Sequence, residues 1–600
     1  MSDAERAYAA YRDISDVPSS TPAWNVYGKG VESVGRNGQP EDVPVGTPGP
    51  DQLLVRVDAV GLCFSDVKLI KQGGDHPKLY GRDLAKEPTR LGHEAAVTVV
   101  AVGADLARRF HPGERLAIQP DIYVNGRATA YGYTIPGALI GYHLIGPEVL
   151  AADDGAYVTP VPDDMGYAET ALTEPWACVE AAYSQRRRVQ PATGGRTWVI
   201  GRRDDARRYR FGDALSEARE VVLSGLRDET LTAARAAAGS ATVVVADEAS
   251  VDGPFDDIVL LGPRSAAVVS RAADALAFRG VLNLVADEPL DGPVEIDVGR
   301  LHSHYTAFVG TTSLDVAAAY GEARNRTELR SGGVAAFVGA AGPMGQMHLE
   351  RALRLPGGPK IAIGSDLDPE RLAAASVRLE PIASASGRRL LMTTGSDVAK
   401  LVEDATAGRG ADDVIVTAPS ASAIASAAAL MAPDGMLVLF AGLPVGTRAS
   451  LDLSPVFLHG RQYTGTSGSR IADQELVIRK TIGGQLAPGR AVAAVGGMEA
   501  APEGLRALVE GRFPGKIVIF PQLRGLPLTS LEDLAVREPD VAAAFGPGGT
   551  WTTAAEAALF ARHLERGVPA GRDRDRHAES EHRPHDPPRT TRHRWPQSGP

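Results

Sequence analysis

One pattern of segments occurs twice in this chain, at an offset of about 155 residues. The stretch from Phe255, FDDIVLLGPRSAAVVSRAADALAFRGVLNLVADEPL, parallels the stretch from Ala411, ADDVIVTAPSASAIASAAALMAPDGMLVLFAGLPV. Three matched pairs set the offset: Gly280 with Gly435, His304 with His459, and Gly310 with Gly465. A shared content of Ala, Val and Gly is the alternative explanation. Several units match in order and at nearly constant spacing, however, which favours a duplication.

Apolar strands alternate with Ala-rich helical segments from about Arg196 onward. TWVIG and EVVLSG are typical strands, and DETLTAARAAAG is a typical helical segment. This alternation is the pattern of βαβ units on a parallel sheet. We therefore predict an α/β fold with two tandem Rossmann-like, doubly wound domains, at about 195–325 and 326–470.

The rest of the chain has other patterns, and 600 residues are more than one core usually organises. Short strands with alternating apolar positions predict a β-rich domain within residues 1–194. We expect the chain to return to this domain at 471–525 and to add a helical extension at 526–567. Arg, His, Asp and Pro dominate 568–600, which predicts a disordered tail.

The composition argues against several classes of protein. A formal net charge of −11 disfavours a nucleic-acid partner, which would select a basic face. No apolar run approaches the roughly 18 residues that a membrane span needs. The N-terminus has neither the basic nor the apolar region of a secretory signal. Two cysteines, Cys63 and Cys178, do not make a disulfide scaffold, so we expect a reducing, cytoplasmic environment.

The second copy contains a glycine-rich turn between a strand and a helix, in VAAFVGAAGPMGQMHLERAL. Glycine lets the backbone turn tightly and approach a pyrophosphate, to which the helix N-terminus offers free N–H groups and a partial positive charge. The candidate cofactor-binding residues of this turn are Gly339, Gly342, Pro343, Met344 and Gly345.

The next strand ends in Asp366, 21 residues after Gly345. This spacing is near the roughly 20 residues expected for the acid that hydrogen-bonds the ribose hydroxyls. An acid at this position repels a 2′-phosphate, so we predict NAD in preference to NADP. The alternative is that Asp366 only begins the following helix, because DPER is also a helix-start pattern.

The first copy does not have this pattern. Its turn, VIGRRDDARRYRFG, places Arg202, Arg203 and Asp204 where small residues belong. At the ribose position stands Gly225. Charged side chains would block the backbone approach, so we expect the first copy to be degenerate and to bind no dinucleotide. A role in covering the neighbouring domain or in a subunit contact is then expected.

Three segments ahead of the first copy complete a recognisable pattern. They are GLCFSDVK, with Cys63; RLGHEAAVTVVAVG, with His93; and ALTEPWACVEAA, with Glu174. Singly, each residue has an ordinary explanation as a buried thiol, a surface group or a satisfied core group. Together, and in this order, they resemble the zinc-dependent medium-chain dehydrogenases. The segments GLCFSDVK, EPWACV and GPMGQMH are similar to the sorbose-1-phosphate reductase-like branch of that family.

The resemblance implies a GroES-like catalytic domain with one catalytic zinc. Cys63, His93 and Glu174 are its implied ligands, and Glu94 is a further carboxylate that ligates or exchanges with water. Three ligands leave the open position typical of a catalytic zinc, which polarises an alcohol. Cys178, four residues after Glu174, is an alternative ligand, although a buried thiol is the simpler explanation.

The same resemblance assigns roles to the neighbours of Cys63. Asp66 is the implied acceptor that orients His93, and Ser65 the first member of a proton relay. Lys68 either continues that relay or is a surface lysine. The sequence departs from the family at Val97, where a glycine is usual. The four-cysteine lobe of a structural zinc is absent from the sequence, so we expect one zinc at most.

The predicted activity is hydride transfer between NAD(H) and a polyol, a ketose or a sugar phosphate. Tyr131, Tyr133 and His143 lie where relatives place a substrate-side lobe, although packing is an equally good explanation. We also expect a homo-oligomer, because related enzymes associate through their nucleotide-domain sheets. Two alternatives remain: a zinc-free quinone or enone reductase of the same superfamily, and a non-catalytic, nucleotide-binding regulatory protein.

Overall fold

The computed structural model describes residues 3–14, 16–184, 186–322 and 325–564. The tail predicted at 568–600 lies outside these ranges. None of the helices within them combines the length and the apolar character that a bilayer crossing requires.

The N-terminal part is rich in β-strands. Its strands are β1 (Ser20–Ala23), β2 (Asn25–Val26), β3 (Glu41–Pro44), β4 (Leu53–Leu62), β5 (Thr89–Arg90), β6 (Glu94–Val102), β7 (Arg115–Ile118), β8 (Asp121–Val124), β9 (Arg127–Ala130), β10 (Tyr142–Ile145) and β11 (Val158–Pro160). Its helices are α1 (Asp3–Tyr11), α2 (Phe64–Gln72), α3 (Pro147–Leu150), α4 (Tyr167–Ala171) and α5 (Thr173–Ser184).

The first α/β unit contains six parallel strands in one sheet. Its strands are β12 (Arg196–Ile200), β13 (Glu220–Ser224), β14 (Thr242–Val245), β15 (Phe255–Leu261), β16 (Leu276–Val285), β17 (Val294–Asp297) and β18 (Ala307–Thr311). Its helices are α6 (Asp228–Ala237), α7 (Ala266–Asp274) and α8 (Val298–Ser303). The sheet order is β14-β13-β12-β15-β16-β18.

The second α/β unit repeats this sheet. Its strands are β19 (Val334–Val338), β20 (Ile361–Asp366), β21 (Arg389–Thr394), β22 (Ala411–Val416), β23 (Met431–Leu439), β24 (Arg448–Leu451) and β25 (Gln462–Gly465). Its helices are α9 (Pro343–Arg354), α10 (Pro369–Ala385), α11 (Val398–Thr406), α12 (Ala421–Ala429) and α13 (Ser454–Leu458). The order β21-β20-β19-β22-β23-β25 reproduces that of the first sheet strand for strand, so the predicted α/β fold with tandem Rossmann-like units is confirmed.

The C-terminal part returns to the first sheet. Its helices are α14 (Ile471–Ile482), α15 (Ala501–Glu510), α16 (Leu531–Arg537), α17 (Pro539–Ala542) and α18 (Thr553–Leu564), and its strands are β26 (Val492–Gly497), β27 (Lys516–Phe520) and β28 (Thr529–Ser530). β27 pairs antiparallel with β4. Helix α18 lies against α1, and its buried Glu556 accepts hydrogen bonds from the backbone N–H groups of Tyr167 and Ala168 at the start of α4.

The two α/β units meet edge to edge within the chain. β17 pairs antiparallel with β24, and Glu295 lies opposite Ser450, its counterpart in the repeat. Farther along, a Cβ on Gly310 would come within 2.6 Å of the Cβ of Phe457. A Cβ on the matching glycine, Gly465, would come within 2.9 Å of the Cα of His302, and 302 is the position that matches 457. These reciprocal contacts relate the copies by an approximate twofold axis, so the edge strands β18 and β25 face each other.

Candidate active site

Cys63 lies at the end of β4, where the chain turns into helix α2. Its backbone N–H donates to Oδ2 of Asp66 over 2.9 Å, and the two residues form a capping box for this helix. The cap holds Asp66 in place, fully buried, three residues after the thiol. The local sequence of GLCFSDVK therefore fixes the relative positions of a half-buried cysteine and a buried carboxylate.

His93 lies directly before β6 and is oriented by the same carboxylate. Its Nδ1 is 3.1 Å from Oδ1 of Asp66, which leaves Nε2 for another partner. Burial disfavours the imidazolium of His93, but the Asp66 carboxylate outweighs burial and raises the pKa of His93 well above its ordinary value. Asp66 is thus placed to select the tautomer and orientation of the ring, as expected for a metal-ligating histidine.

Glu94 is fully buried at the start of β6. Its Oε1 forms an ion pair of 2.5 Å with Nζ of Lys516 on β27. Its Oε2 is buried and has no hydrogen-bond partner among the described residues. A buried carboxylate oxygen without a partner is costly, and coordination of a cation is one way to satisfy it.

Cys63, His93 and Glu94 form one group that fits a metal ion. One ligand atom from each of the three lies within 4.8 Å of the others. A thiolate, an imidazole nitrogen and a carboxylate oxygen are the donor types that zinc prefers. The residues present therefore fit a three-ligand zinc site, and the unpartnered Oε2 of Glu94 is an independent sign of a missing positive partner.

Glu174 lies near this group but is not part of it. It is buried at the start of α5, and its Oε1 accepts a hydrogen bond of 3.5 Å from the Cys178 thiol. Burial raises the pKa of Glu174, a shift that His93 opposes and Glu94 reinforces. Burial likewise raises the pKa of the Cys178 thiol, which is also 3.8 Å from Oγ of Ser469. A thiol held neutral in this way is a poor metal ligand.

Ser65 and Lys68 lie on α2, the helix that follows Cys63. Oγ of Ser65 is 3.6 Å from the Cys63 Sγ. Nζ of Lys68 donates to the carbonyl of Gly442 over 3.1 Å, in the loop that follows β23. Burial lowers the pKa of Lys68. A Cβ on Gly442 would be 3.6 Å from Nε2 of His302, so helix α2 of the N-terminal part meets both copies here.

The three candidate substrate-side residues have different environments. Tyr131 is fully buried, and its ring centroid is 5.8 Å from that of His143. Burial and the nearby Arg90 lower the pKa of His143 to about 3. Tyr131 therefore belongs to the core, and His143 packs beside it at the core's edge. Tyr133 instead lies beside the metal-ligand group, with its ring centroid 5.8 Å from that of His93.

Two basic residues, His76 and Lys78, pack beside Tyr133. The His76 ring centroid is 5.1 Å from that of Tyr133, and the Lys78 ammonium is 5.2 Å from it. Burial lowers the pKa of His76 to about 4, and the positive charges of Lys78 and Lys68 add to the shift. Lys78 also pairs with Asp121 over 2.8 Å.

The glycine-rich turn of the second copy is closely packed. Gly339 has φ 86°, and a Cβ there would lie 2.8 Å from the backbone nitrogen of Ala418. A Cβ on Gly345 would lie 2.2 Å from the Gly339 carbonyl, so only glycine lets α9 approach β19 this closely. Gly342, the N-cap of α9, is half-buried, and a Cβ there would meet its neighbours only at ordinary contact distances. The turn therefore leaves the helix N-terminus accessible, as dinucleotide binding requires.

The helix start and the ribose-side acid are also fixed by local contacts. Pro343 occupies the first turn of α9, and half-buried Met344 packs on the core beneath it. Asp366 ends β20 and accepts a hydrogen bond of 3.0 Å from the Ala341 N–H in the glycine-rich turn. The N-cap of α10 is Asp368, so beginning that helix is not the role of Asp366.

The corresponding turn of the first copy is blocked. Between β12 and β13 the described residues 201–219 contain no helix. Arg202 pairs with Asp204 over 3.0 Å and donates to the carbonyl of Gly262 over 2.7 Å, across the carboxyl ends of the strands. The helix N-terminus that would hold a pyrophosphate is missing, and an arginine side chain fills the crevice.

Several residues of the site carry no signal in the local sequence. Lys516 reaches Glu94 from 422 positions away. Arg371 on α10 places a guanidinium nitrogen 3.7 Å from where a Cβ of Gly342 would be, so a positive charge adjoins the dinucleotide turn. His302 comes from the degenerate copy. Their neighbours come from distant segments, and only the tertiary structure brings them together.

Comparisons with known proteins show which families and structures the chain resembles. Residues 49–179 match the alcohol dehydrogenase GroES-like domain. Over 425 residues the chain is 27% identical to an L-sorbose 1-phosphate reductase of Klebsiella pneumoniae, covering 63% of this chain and 99% of the relative. A sorbitol dehydrogenase of Bos taurus is 31% identical over 175 residues, covering 27% of this chain and 44% of the relative.

Other similar proteins cover more of the chain. An uncharacterized protein of Escherichia coli (strain K12), YggP, is 29% identical over 492 residues, covering 81% of this chain and 84% of the relative. The crystal structure of 2R,3R-butanediol dehydrogenase from Bacillus subtilis aligns with a TM-score of 0.49 at 16% identity, covering 84% of this chain and all of that one. The GroES-like match and the polyol and sugar-phosphate relatives support a place for this chain in the medium-chain dehydrogenase/reductase superfamily of oxidoreductases, near its sorbose-1-phosphate reductase-like branch.

Proposed function

We propose that this protein is a zinc-dependent, NAD-linked oxidoreductase that interconverts a polyol, or its phosphate, with the corresponding ketose. One observation carries the proposal. The cluster of Cys63, His93 and Glu94 is joined, through the Lys68–Gly442 hydrogen bond, to the carboxyl edge of the second nucleotide-type sheet. Ligands in open α/β sheets bind at that edge.

Zinc would be held by Cys63, His93 and Glu94, with Glu174 as an exchanging or additional carboxylate. When bound, zinc supplies a Lewis acid that polarises the oxygen of the alcohol or ketone. Asp66 keeps Nε2 of His93 free for this role by holding Nδ1. Lys516 neutralises one oxygen of Glu94, so the buried carboxylate does not stand alone.

The remaining groups handle protons and the substrate. The hydroxyl of Ser65, beside the Cys63 thiol, is the first proton carrier from the alcohol, and Lys68 lies one helical turn farther on. Tyr133 forms the substrate-side wall with His76 and Lys78, which can donate hydrogen bonds to hydroxyl or phosphate oxygens.

The cofactor is assigned to the second copy. The pyrophosphate would be held at the N-terminus of α9, beside Gly339, Gly342 and Gly345, and Asp366 would accept hydrogen bonds from the ribose hydroxyls. In this assignment residues 1–194 and 471–525 form the catalytic domain, 326–470 the NAD domain, and 195–325 a degenerate copy. The expected homo-oligomer would need a surface other than β18 and β25, which are occupied within the chain.

Metal analysis with activity assays tests the zinc site. We expect about one zinc per chain, and Cys63→Ser should lose both the metal and at least about 1,000-fold of activity while the chain stays folded. Cys178→Ser is the matched control and should retain both. Full activity in a verified metal-free preparation would contradict the proposal and favour the zinc-free reductase. Absence of both zinc and NADH binding would favour the regulatory protein.

A further inference from the structure

A cavity of about 110 Å³ lies where the first copy, the second copy and the segment after α5 meet. This is several times the roughly 10–15 Å³ that one water molecule needs. Strands β18 and β25 form part of its wall. Five arginines also line it: Arg186, Arg187, Arg188, Arg279 and Arg470. Among the described lining residues none is acidic.

The carboxylates that pair with these arginines lie outside the wall. Glu322 pairs with Arg186 over 2.9 Å, Asp257 with Arg188 over 3.2 Å, and Asp473 with Arg470 over 3.7 Å. Two of the three are also engaged elsewhere: Asp257 accepts a hydrogen bond from the Ala192 N–H, and Asp473 from the Ser184 hydroxyl. The charged side chains among the described lining residues are all positive, which favours an anion.

Two residues of the cavity wall, Arg279 and Tyr305, have an unusual backbone conformation. Both are non-glycine residues in the left-handed region, with φ 58° and φ 55°. The guanidinium of Arg279 lies 5.4 Å from the centroid of the Tyr305 ring, and the Tyr305 hydroxyl is 3.0 Å from Oγ of Ser467 in the second unit. Arg279 has no carboxylate partner among the ion pairs of the described residues.

In the second copy, the position that matches Tyr305 is occupied by glycine. By the repeat offset, Tyr305 matches Gly460, which has φ 83°, and Arg279 matches Asp434. The first copy thus has a tyrosine in a backbone conformation that favours glycine. It also has an arginine where the second copy has an aspartate. Residues held in strained backbone conformations are concentrated at ligand-binding and other functional sites, where the strain is part of the function.

We propose that this cavity binds a phosphate-bearing small molecule, at a site separate from the catalytic cleft. Guanidinium groups match phosphate oxygens in charge and in fork geometry, and Tyr305 adds a hydroxyl and a ring face. Residues of both copies and of the segment joining the first copy to the catalytic part line the cavity, so a ligand there would contact all three. The first copy has no dinucleotide turn of its own, but in this proposal it helps to form a different phosphate site.

Calorimetric titration of the full-length protein with pyrophosphate tests the proposal. The titrations use the Gly342→Arg variant as background, so that the dinucleotide turn is blocked. We expect one site per chain, an affinity that falls with rising salt, and at least about a tenfold loss in Arg279→Gln. Arg264→Gln, an exposed arginine of the same copy that is outside the cavity, is the control and should bind as the background does.

The outcomes separate the possible sources of the phosphate. Competition of pyrophosphate by a hexose 1-phosphate but not by inorganic phosphate would identify a sugar-phosphate ligand, and the reverse would identify free phosphate; each supports the site. Unchanged pyrophosphate affinity in both Arg279→Gln and Arg186→Gln would overturn the proposal. So would the absence of any binding in the Gly342→Arg background when the wild-type protein binds.

Discussion

The two α/β copies have the same sheet topology but different turns after their first strands. Each has six parallel strands in the same order. Each also buries one aspartate under an arginine at the matching strand: Asp257 with Arg188, and Asp413 with Arg326. The dinucleotide features, in contrast, occur in one copy only, because residues 201–219 of the first contain no helix where the second has α9.

The difference shows that the core and the site depend on different parts of the sequence. Buried strands such as β15 and β22 are apolar in both copies, so both sheets form. Dinucleotide binding depends on one turn and the helix after it, which can be lost without loss of the sheet. The first copy then contacts the second through β17 and β18, and contributes His302 beside Lys68.

The largest expected effect comes from closing the intact turn. Gly342→Arg should weaken NADH binding at least about 100-fold, because its side chain would occupy the space the pyrophosphate needs. Gly342 has a negative φ and only ordinary contacts, so the variant should fold. Gly292→Arg in the first copy is the control, because a Cβ there has no neighbour within 4 Å. Fluorescence titration should show one NADH site per chain. A second stoichiometric site that survives Gly342→Arg would contradict the contrast between the copies.

An intermediate effect is expected at the ribose position. Asp366→Ser combined with Leu367→Arg should shift the ratio of kcat/KM for NADP over NAD by about 10- to 100-fold, since the acid that repels a 2′-phosphate is replaced by a cation. The ratio cancels any general loss caused by removing the Asp366–Ala341 hydrogen bond. Asp404→Ser, on the exposed surface of the same copy, is the control. An unchanged ratio would mean that Asp366 does not contact the ribose.

The smallest effect is expected from opening the blocked turn. Arg202→Ala removes an exposed ion pair with Asp204 and one hydrogen bond to the Gly262 carbonyl, so the chain should stay folded with only a small loss of unfolding free energy. No new NADH site should appear, because the helix N-terminus is still missing. Thermal unfolding and NADH titration measure both quantities. An added NADH site in this variant would show that Arg202, and not the missing helix, is what prevents binding in the first copy.

Much of this architecture was predictable from the sequence. The repeat at 155 residues predicted two sheets, and their strands follow the apolar segments. The blocked turn at Arg202–Asp204 predicted a degenerate copy. The loss of a whole helix was not predictable, because charged residues in a turn indicate a poor site without showing what replaces α9.

The site was predictable only in its parts. GLCFSDVK and GHE contain Cys63, His93 and Glu94 with the acid that orients the histidine, because a capping box and one strand start place them locally. The resemblance ranked Glu174 as the third ligand, whereas in the structure Glu94 is the carboxylate that groups with Cys63 and His93. That ranking depends on how α5 packs beside β6.

The sequence by itself determined the elements and the chemistry of each segment, because strand periodicity, helix caps and glycine-rich turns act over a few residues. Only the tertiary structure decided which segments meet. It paired Lys516 with Glu94, set Lys68 against Gly442, and placed Arg279 opposite β25. The physical reason is that these contacts join residues more than 180 positions apart in the sequence. Their charges and hydrogen bonds are specified by the packing of three sheets and not by the order of neighbouring residues.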